Sequence, residues 1–228
     1  MEHFIKHCDE ALHDMKDVSD MKYYSCVGLC AFDAVFSIRS GYKSVVSPLI
    51  DRFCRLLKID RNAPDPSSIP GVNEQIMVSD LRSRLKGHNA ESLADAIGNH
   101  QRTSTSNGIL KTEAFLNYLE VFGEYDINTF QDVNRLAVEN PGFEHDLKSI
   151  KGQNVAVGYF FMLAGDTDRV KVDVHLKRFA KDALGHEVED DEIKRLFAEA
   201  VSHYRKNGYP DMTARQLDHT VWTWQRSR

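Results

Sequence analysis

Cysteine is scarce and confined to one end of the chain. Cys8, Cys26, Cys30 and Cys54 are the only four, none forms a CxxC pair, and no thiol lies beyond residue 54. That spacing reads as reduced thiols of a cytoplasmic, intracellular protein and not as a disulfide framework. Long apolar runs are also missing. The longest, VAVGYFFMLAG at 155–165, falls short of the roughly 18 residues a membrane span needs, so no membrane association is expected. The opening residues, MEHFIKHCDEALHDMKD, alternate in charge without an apolar h-region, so no secretory signal is expected. Positive charge is not in excess: 29 Lys and Arg face 34 Asp and Glu, a net charge of −5. Binding nucleic acid by bulk charge alone is thereby excluded. GxSxG, P-loop, HExxH and Rossmann fingerprints are absent, and no internal repeat or low-complexity tract interrupts the chain.

What is present is an ordinary globular composition. The 228 residues are 42% hydrophobic and 28% charged, enough for a sizeable core in one domain or two intimate lobes. The apolar period is 3.6 nearly throughout, which predicts an all-α fold. Leu176, Phe179, Ala180, Ala183 and Leu184 share one helical face, and Ile193, Leu196, Phe197, Ala200, Val201 and Tyr204 repeat the pattern. Acids at 187–192 open the second of these helices, and Thr213 with Gln216 predicts a capping box for the last one. Earlier helices are expected at about 2–15, 20–38, 43–58, 73–86, 90–99, 109–124, 129–138, 143–150 and 154–164. Only VKVDV at 170–174 alternates as a strand does, and it is too short and isolated to anchor a sheet. Breaks fall at 62–71, 101–108 and 165–169.

The most informative stretch is LKSIKGQNVAVGYFFMLAGDTDRVKVDVHLKR at 147–178. A helix ends near Ile150, Gly152 makes a tight turn, an apolar helix begins at about Asn154, and Asp173-Val174-His175 follows some twenty residues later with Arg178 beyond. This arrangement resembles the helix-hairpin-helix DNA glycosylase superfamily, which includes endonuclease III and the alkyladenine glycosylases. Residues 24–53 and NGILKTEAF at 107–115 are similar to two further segments of that family, in the same order. The resemblance implies a two-lobed helical protein with a cleft between its lobes. One lobe would span 21–165 and contain the hairpin at about 143–164; the other would combine 1–20 with 166–228.

The resemblance also assigns roles. It implies that the hairpin binds a DNA phosphate through Gly152, Asn154, Lys148 and Lys151, with Lys111 adding charge and Arg39 filling the gap left by an extruded base. It implies that Asp173 is the catalytic carboxylate, supported by His175 and Arg178, with Tyr159 and Phe160 candidates for the base pocket. Departures are informative. Lys151 stands where the family has proline, and Asn154 where it has a second glycine, a residue that tolerates left-handed backbone. Ala156 replaces the lysine of bifunctional members, which excludes Schiff-base lyase chemistry there. With no thiol after Cys54, the iron–sulfur cluster of many members is excluded, and no cofactor is implied.

The residues themselves admit plainer readings. Asp173 sits where an N-cap for a helix at 174–185 belongs, and the aromatic run at 159–161 fits a core. His3 and His7, at i and i+4, have no further ligand nearby, so no metal site is expected. Cys26 and Cys30 fit core packing, and Asp33 in the apolar run VGLCAFDAVF would cap or pair with Arg39 or Arg52. Residues 148–181 carry seven basic residues against three acidic ones, a local +4 that suits a groove binder. The expected activity is a monofunctional DNA glycosylase of base-excision repair, acting on damaged or mispaired duplex. Alternatives are an inactive DNA-binding or lesion-sensing module of the same fold, or an unrelated helical interaction protein.

Overall fold

The computed structural model describes residues 1–14 and 22–228. The helix end expected at residue 15, the start expected at 20 and the lobe boundary at 20/21 lie outside the described residues. Twelve α-helices and no strand make up the described residues, an all-α fold. No helix among them is long and apolar enough to cross a membrane. The chain divides into two compact units, one combining the N-terminal helix with Asp166–Arg228 and the other spanning Lys22–Gly165.

The larger unit is organised by α2 (Val27–Ser37), in which every residue from Val27 to Phe36 is buried. A helix apolar on all sides can only be a central one. Around it lie α3 (Ser47–Leu57), α4 (Val78–Arg84), α5 (Ala90–Ile97), α6 (Lys111–Glu124), α7 (Phe130–Glu139), α8 (Pro141–Ser149) and α9 (Asn154–Leu163), with α6 and α9 packed directly on α2. Phe32 stacks on Phe36 and Phe53 at 4.5 and 4.2 Å, and Phe115 meets both Phe32 and Phe53 edge-on. A second aromatic group joins Tyr118, Phe122, Phe143, Phe160 and Phe161. Such ring pairs add to the burial of their area.

In the smaller unit α1 (Glu2–Asp14) packs with α10 (Val174–Leu184), α11 (Asp190–Lys206) and α12 (Ala214–Arg226). Phe4 lies edge-on to Phe179 and Phe197, and Trp224 closes on Phe179. The capping box of Thr213 and Gln216 opens α12 as the sequence predicts.

Two helices start later than periodicity suggests. The backbone of residues 23–25 pairs with the 61–66 loop, so Cys26 is extended and caps α2 through its sulfur, which accepts from the Gly28 N–H. The span expected at 73–86 contains one 3-10 turn, then an extended Met77, because Ile76 and Val78 donate their N–H groups to Ser25 and Asn128. Tertiary partners won those backbone groups from the helix. VKVDV forms no strand; α10 begins within it, at Val174.

Helices α8 and α9 are joined by Ile150–Gln153, with Gly152 at φ +80°. A Cβ at Gly152 would lie 2.7 Å from the Thr103 side chain, while one at Gly185, also at φ +80°, would meet nothing within 4 Å. Gly185→Ala therefore measures the backbone cost alone, about 1 kcal/mol. In urea melts Gly152→Ala is expected to exceed it by a further 1 kcal/mol or so. Equal losses would mean that Thr103 yields without cost.

Candidate functional site

The α8–α9 turn brings together four of the residues singled out by sequence. Lys148, Lys151, Gly152 and Asn154 are all exposed. No side chain caps the start of α9, so the N–H groups of its first turn have neither an intrahelical acceptor nor a side-chain one at the N-cap. Gln153, which precedes the helix, is wholly buried with neither end of its amide bonded. Asn154 is the first helical residue and not a left-handed one; Gly152 already supplies the positive φ, which removes the need for it two residues later. Lys148 is engaged with Glu144 at 2.7 Å, an exposed i,i+4 pair of the kind worth about 0.3–0.5 kcal/mol.

Other residues of the larger unit lie inside it. The Lys111 amine is buried and donates to the carbonyls of Phe36 and Ile38 at 3.1 and 2.6 Å, to the Ser40 hydroxyl at 3.0 Å and to the Gln101 amide oxygen at 3.3 Å. Desolvation lowers its pKa to about 8. Lys111 is thus a tether for the end of α2 and takes no place on a surface that meets phosphate; its position at the start of a buried helix, and not its charge, decides this. Phe160 is fully buried in the aromatic core, and Tyr159 is nearly so. Tyr159 points its hydroxyl at Asp33, 3.5 Å away.

Asp33 is fully buried and accepts from hydroxyls: Tyr24 donates at 2.7 Å and Ser37 at 2.6 Å. Arg52 turns instead to the Ile97 carbonyl. Tyr24 lies 3.3 Å from Tyr42, and Arg61 reaches the Tyr42 hydroxyl and the Asp51 carboxylate, carrying the polar chain to the surface. Burial, reinforced by Asp33, holds the Tyr24 phenol well above its ordinary range. Arg39 is exposed, in left-handed backbone just past the end of α2.

In the smaller unit Asp173 is the N-cap of α10. One carboxylate oxygen accepts from the N–H groups of His175 and Leu176 at 2.8 and 3.2 Å, and the other accepts from the Trp222 indole at 3.1 Å. His175 packs edge-on to Trp222, and Arg178 stands exposed one turn on. Asp218, which the sequence reading passed over, lies beside this cap. It is buried, its carboxylate accepts the Lys171 N–H, and burial pushes its pKa up to about 7, with the Asp173 charge pushing the same way. Its register was the available signal: Ala214, Asp218 and Val221 recur at i, i+4 and i+7 on the buried face of α12.

The local positive charge of 148–181 does not survive folding. Besides Lys148, Arg169 pairs with Asp166, Lys177 with Asp190 and Lys181 with Glu187, at 2.6–2.7 Å. Three of these four acids lie outside the stretch counted, so a linear charge count misses them. Lys151 and Arg178 are left exposed with no ion pair among the described residues. No group of three metal-ligating side chains occurs among them either.

The raised Asp218 pKa carries a sign. Both states are protonated below about pH 4; above it the unfolded carboxyl ionises first, so a penalty on folding grows up to about pH 7 and then stays constant. Asp218→Asn keeps an acceptor for Lys171 and removes the charge. Its melting temperature relative to the parent is expected to rise between pH 5 and pH 8 by about 4 °C or more. A difference independent of pH would show that Asp218 does not titrate in this window.

No curated protein and no solved structure matches the chain. A family model, however, matches residues 2–226, nearly the whole length, and the chain belongs to that family, described as a domain of unknown function (DUF8548).

Proposed function

We propose that the chain binds duplex DNA through the α8–α9 turn in the manner of a helix-hairpin-helix protein, as a binding or lesion-sensing module of the glycosylase-like kind. The observation that carries this reading is the uncapped start of α9 beside Gly152, flanked by exposed Lys148, Lys151 and Asn154. Uncapped N–H groups at a helix start favour an anion, and two nearby ammonium groups add charge-assisted contacts. Arg39, exposed beyond the end of a rigid central helix, is suited to entering a gap in the stack.

The arrangement at Asp173 favours the module over the enzyme. Three N–H groups already hold its carboxylate, which leaves little capacity to activate water or to stabilise a sugar cation. Ala156 offers no amine for covalent chemistry.

Gel shifts at several salt concentrations test the reading. Lys148→Ala with Lys151→Ala is expected to weaken binding alike across sequences and to lower the slope of log affinity against log salt by about 0.9 per lost contact. An unchanged slope would remove the turn from the interface. Incubation with lesion-bearing duplexes followed by alkali is expected to release no base; release that Asp173→Asn abolishes with the fold retained would instead establish a monofunctional glycosylase.

A further inference from the structure

The α10–α12 face of the smaller unit gathers an indole, two imidazoles and two guanidinium groups. Trp222 is partly exposed, and its indole is fixed by the bond from Nε1 to Asp173. His175 meets its edge at 5.7 Å, and His219 lies parallel to it with ring centres 6.4 Å apart and planes 14° from parallel. The Arg226 guanidinium covers the ring at 4.8 Å. Arg178 stands exposed one turn beyond His175, and Val174 is 62% exposed at the start of the same helix. Of the carboxylates of this region, Asp173 is held by three N–H groups and Asp218 is buried against the Lys171 N–H, while Asp182 is exposed and accepts from the Gln225 amide at 3.1 Å. Arg178 and Arg226 outnumber Asp182, so the outward charge around this fixed ring is positive by one.

We propose that Trp222 is a stacking platform for an unpaired nucleobase, with Arg226 and Arg178 holding the phosphates on either side, so that this face binds single-stranded nucleic acid. The base takes the face of the indole that the guanidinium now covers, and the guanidinium moves onto the neighbouring phosphate. A planar cation resting on a ring marks a surface that a planar aromatic base can occupy equally well. Fixing the indole through Asp173 lowers the ordering cost of capture. The proposal is independent of duplex binding at the α8–α9 turn.

The protein carries its own reporter, because Trp222 and Trp224 are the two tryptophans and Trp224 is buried. Titrating the full chain with a twelve-residue oligo-dT is expected to quench its emission, while an oligomer of the same length made wholly of abasic sites should bind about tenfold or more weakly and quench little. Trp222→Phe keeps a ring and should bind oligo-dT within about threefold of the parent, whereas Trp222→Leu keeps bulk without a π face and should lose about tenfold or more. Both lack the indole N–H, so their melting temperatures should agree, and comparing them removes the cost of the lost Asp173 bond. Arg178→Gln and Arg226→Gln should each lower the salt slope by about 0.7. Lys148→Ala with Lys151→Ala should leave the quench unchanged, which separates this face from the turn. Equal binding of the abasic and oligo-dT oligomers, or equal affinities of the Phe and Leu variants, would overturn the proposal.

Discussion

A helix without a solvent-facing side must find every polar partner within the protein, and α2 sets that condition for the larger unit. Its interior position follows from VGLCAFDAVF, and each departure from pure hydrocarbon is answered by a neighbour. Cys26 takes one of the free N–H groups at the start of the helix, that of Gly28, through sulfur. Gly28 lets α4 approach so closely that a Cβ there would collide with Leu81. Tyr24 and Ser37 supply hydroxyl donors to Asp33. At the far end Lys111 reaches the Phe36 and Ile38 carbonyls, two of the acceptors that a helix terminus leaves without partners. A buried polar group left unsatisfied costs roughly 1–3 kcal/mol, more when charged. These contacts therefore determine where α4, the Ser40 turn and the start of α6 have to lie.

The smaller unit solves a related problem with carboxylates. Residues 170–173 run irregularly into α10, and their backbone is fastened to α12 by Asp218, while Asp173 receives Trp222 from the same helix. Two acids are thus spent on positioning, one as a cap and one as a buried acceptor held near its titration point. Burial of the Asp218 carboxyl raises its pKa and the Asp173 carboxylate adds to the rise, against the opposing pull of the Lys171 N–H and charge. Asp218 is buried and Asp173 has its oxygens occupied by N–H donors, so a shift of the kind that can mark an active site here accompanies the fastening of 170–173 to α12.

Periodicity made the all-α class legible, because period 3.6 recurs over stretches long enough to exceed noise. Caps with a short-range signature were legible too: Thr213 with Gln216, and Asp173 in its plainer role before α10. Helix starts at Val27 and Val78 were not, since the competing partners of their upstream backbone lie tens of residues away. The same separation hid the fate of Lys111, a lysine that reads as a surface cation until the end of α2, more than 70 positions earlier, is placed against it. Asp33 stands out in its apolar run, but its partner Tyr24 lies across a turn that no local pattern encodes. Of the proposed phosphate-binding residues, those on the α8–α9 turn share one exposed locality because four consecutive residues connect two helices, which is a local matter.

Charge was the least legible property, for a reason that bears on any ligand of this protein. Counting along the chain treats neighbours in sequence as neighbours in space, yet an ion pair is decided within about 4 Å. Helical geometry brings Glu144 to Lys148, while the turn after α10 brings Glu187 to Lys181 and Asp190 to Lys177. Exposed pairs of this kind contribute little to stability and exchange readily, so they do not forbid binding, but each cation must leave an acid before it meets a phosphate. Lys151 and Arg178 carry no such debt among the described residues. On an acidic chain, the proposed affinity for an anion would rest on few cations, and its specificity on fixed geometry: the uncapped N–H groups at the start of α9, and an aromatic ring held in place by Asp173.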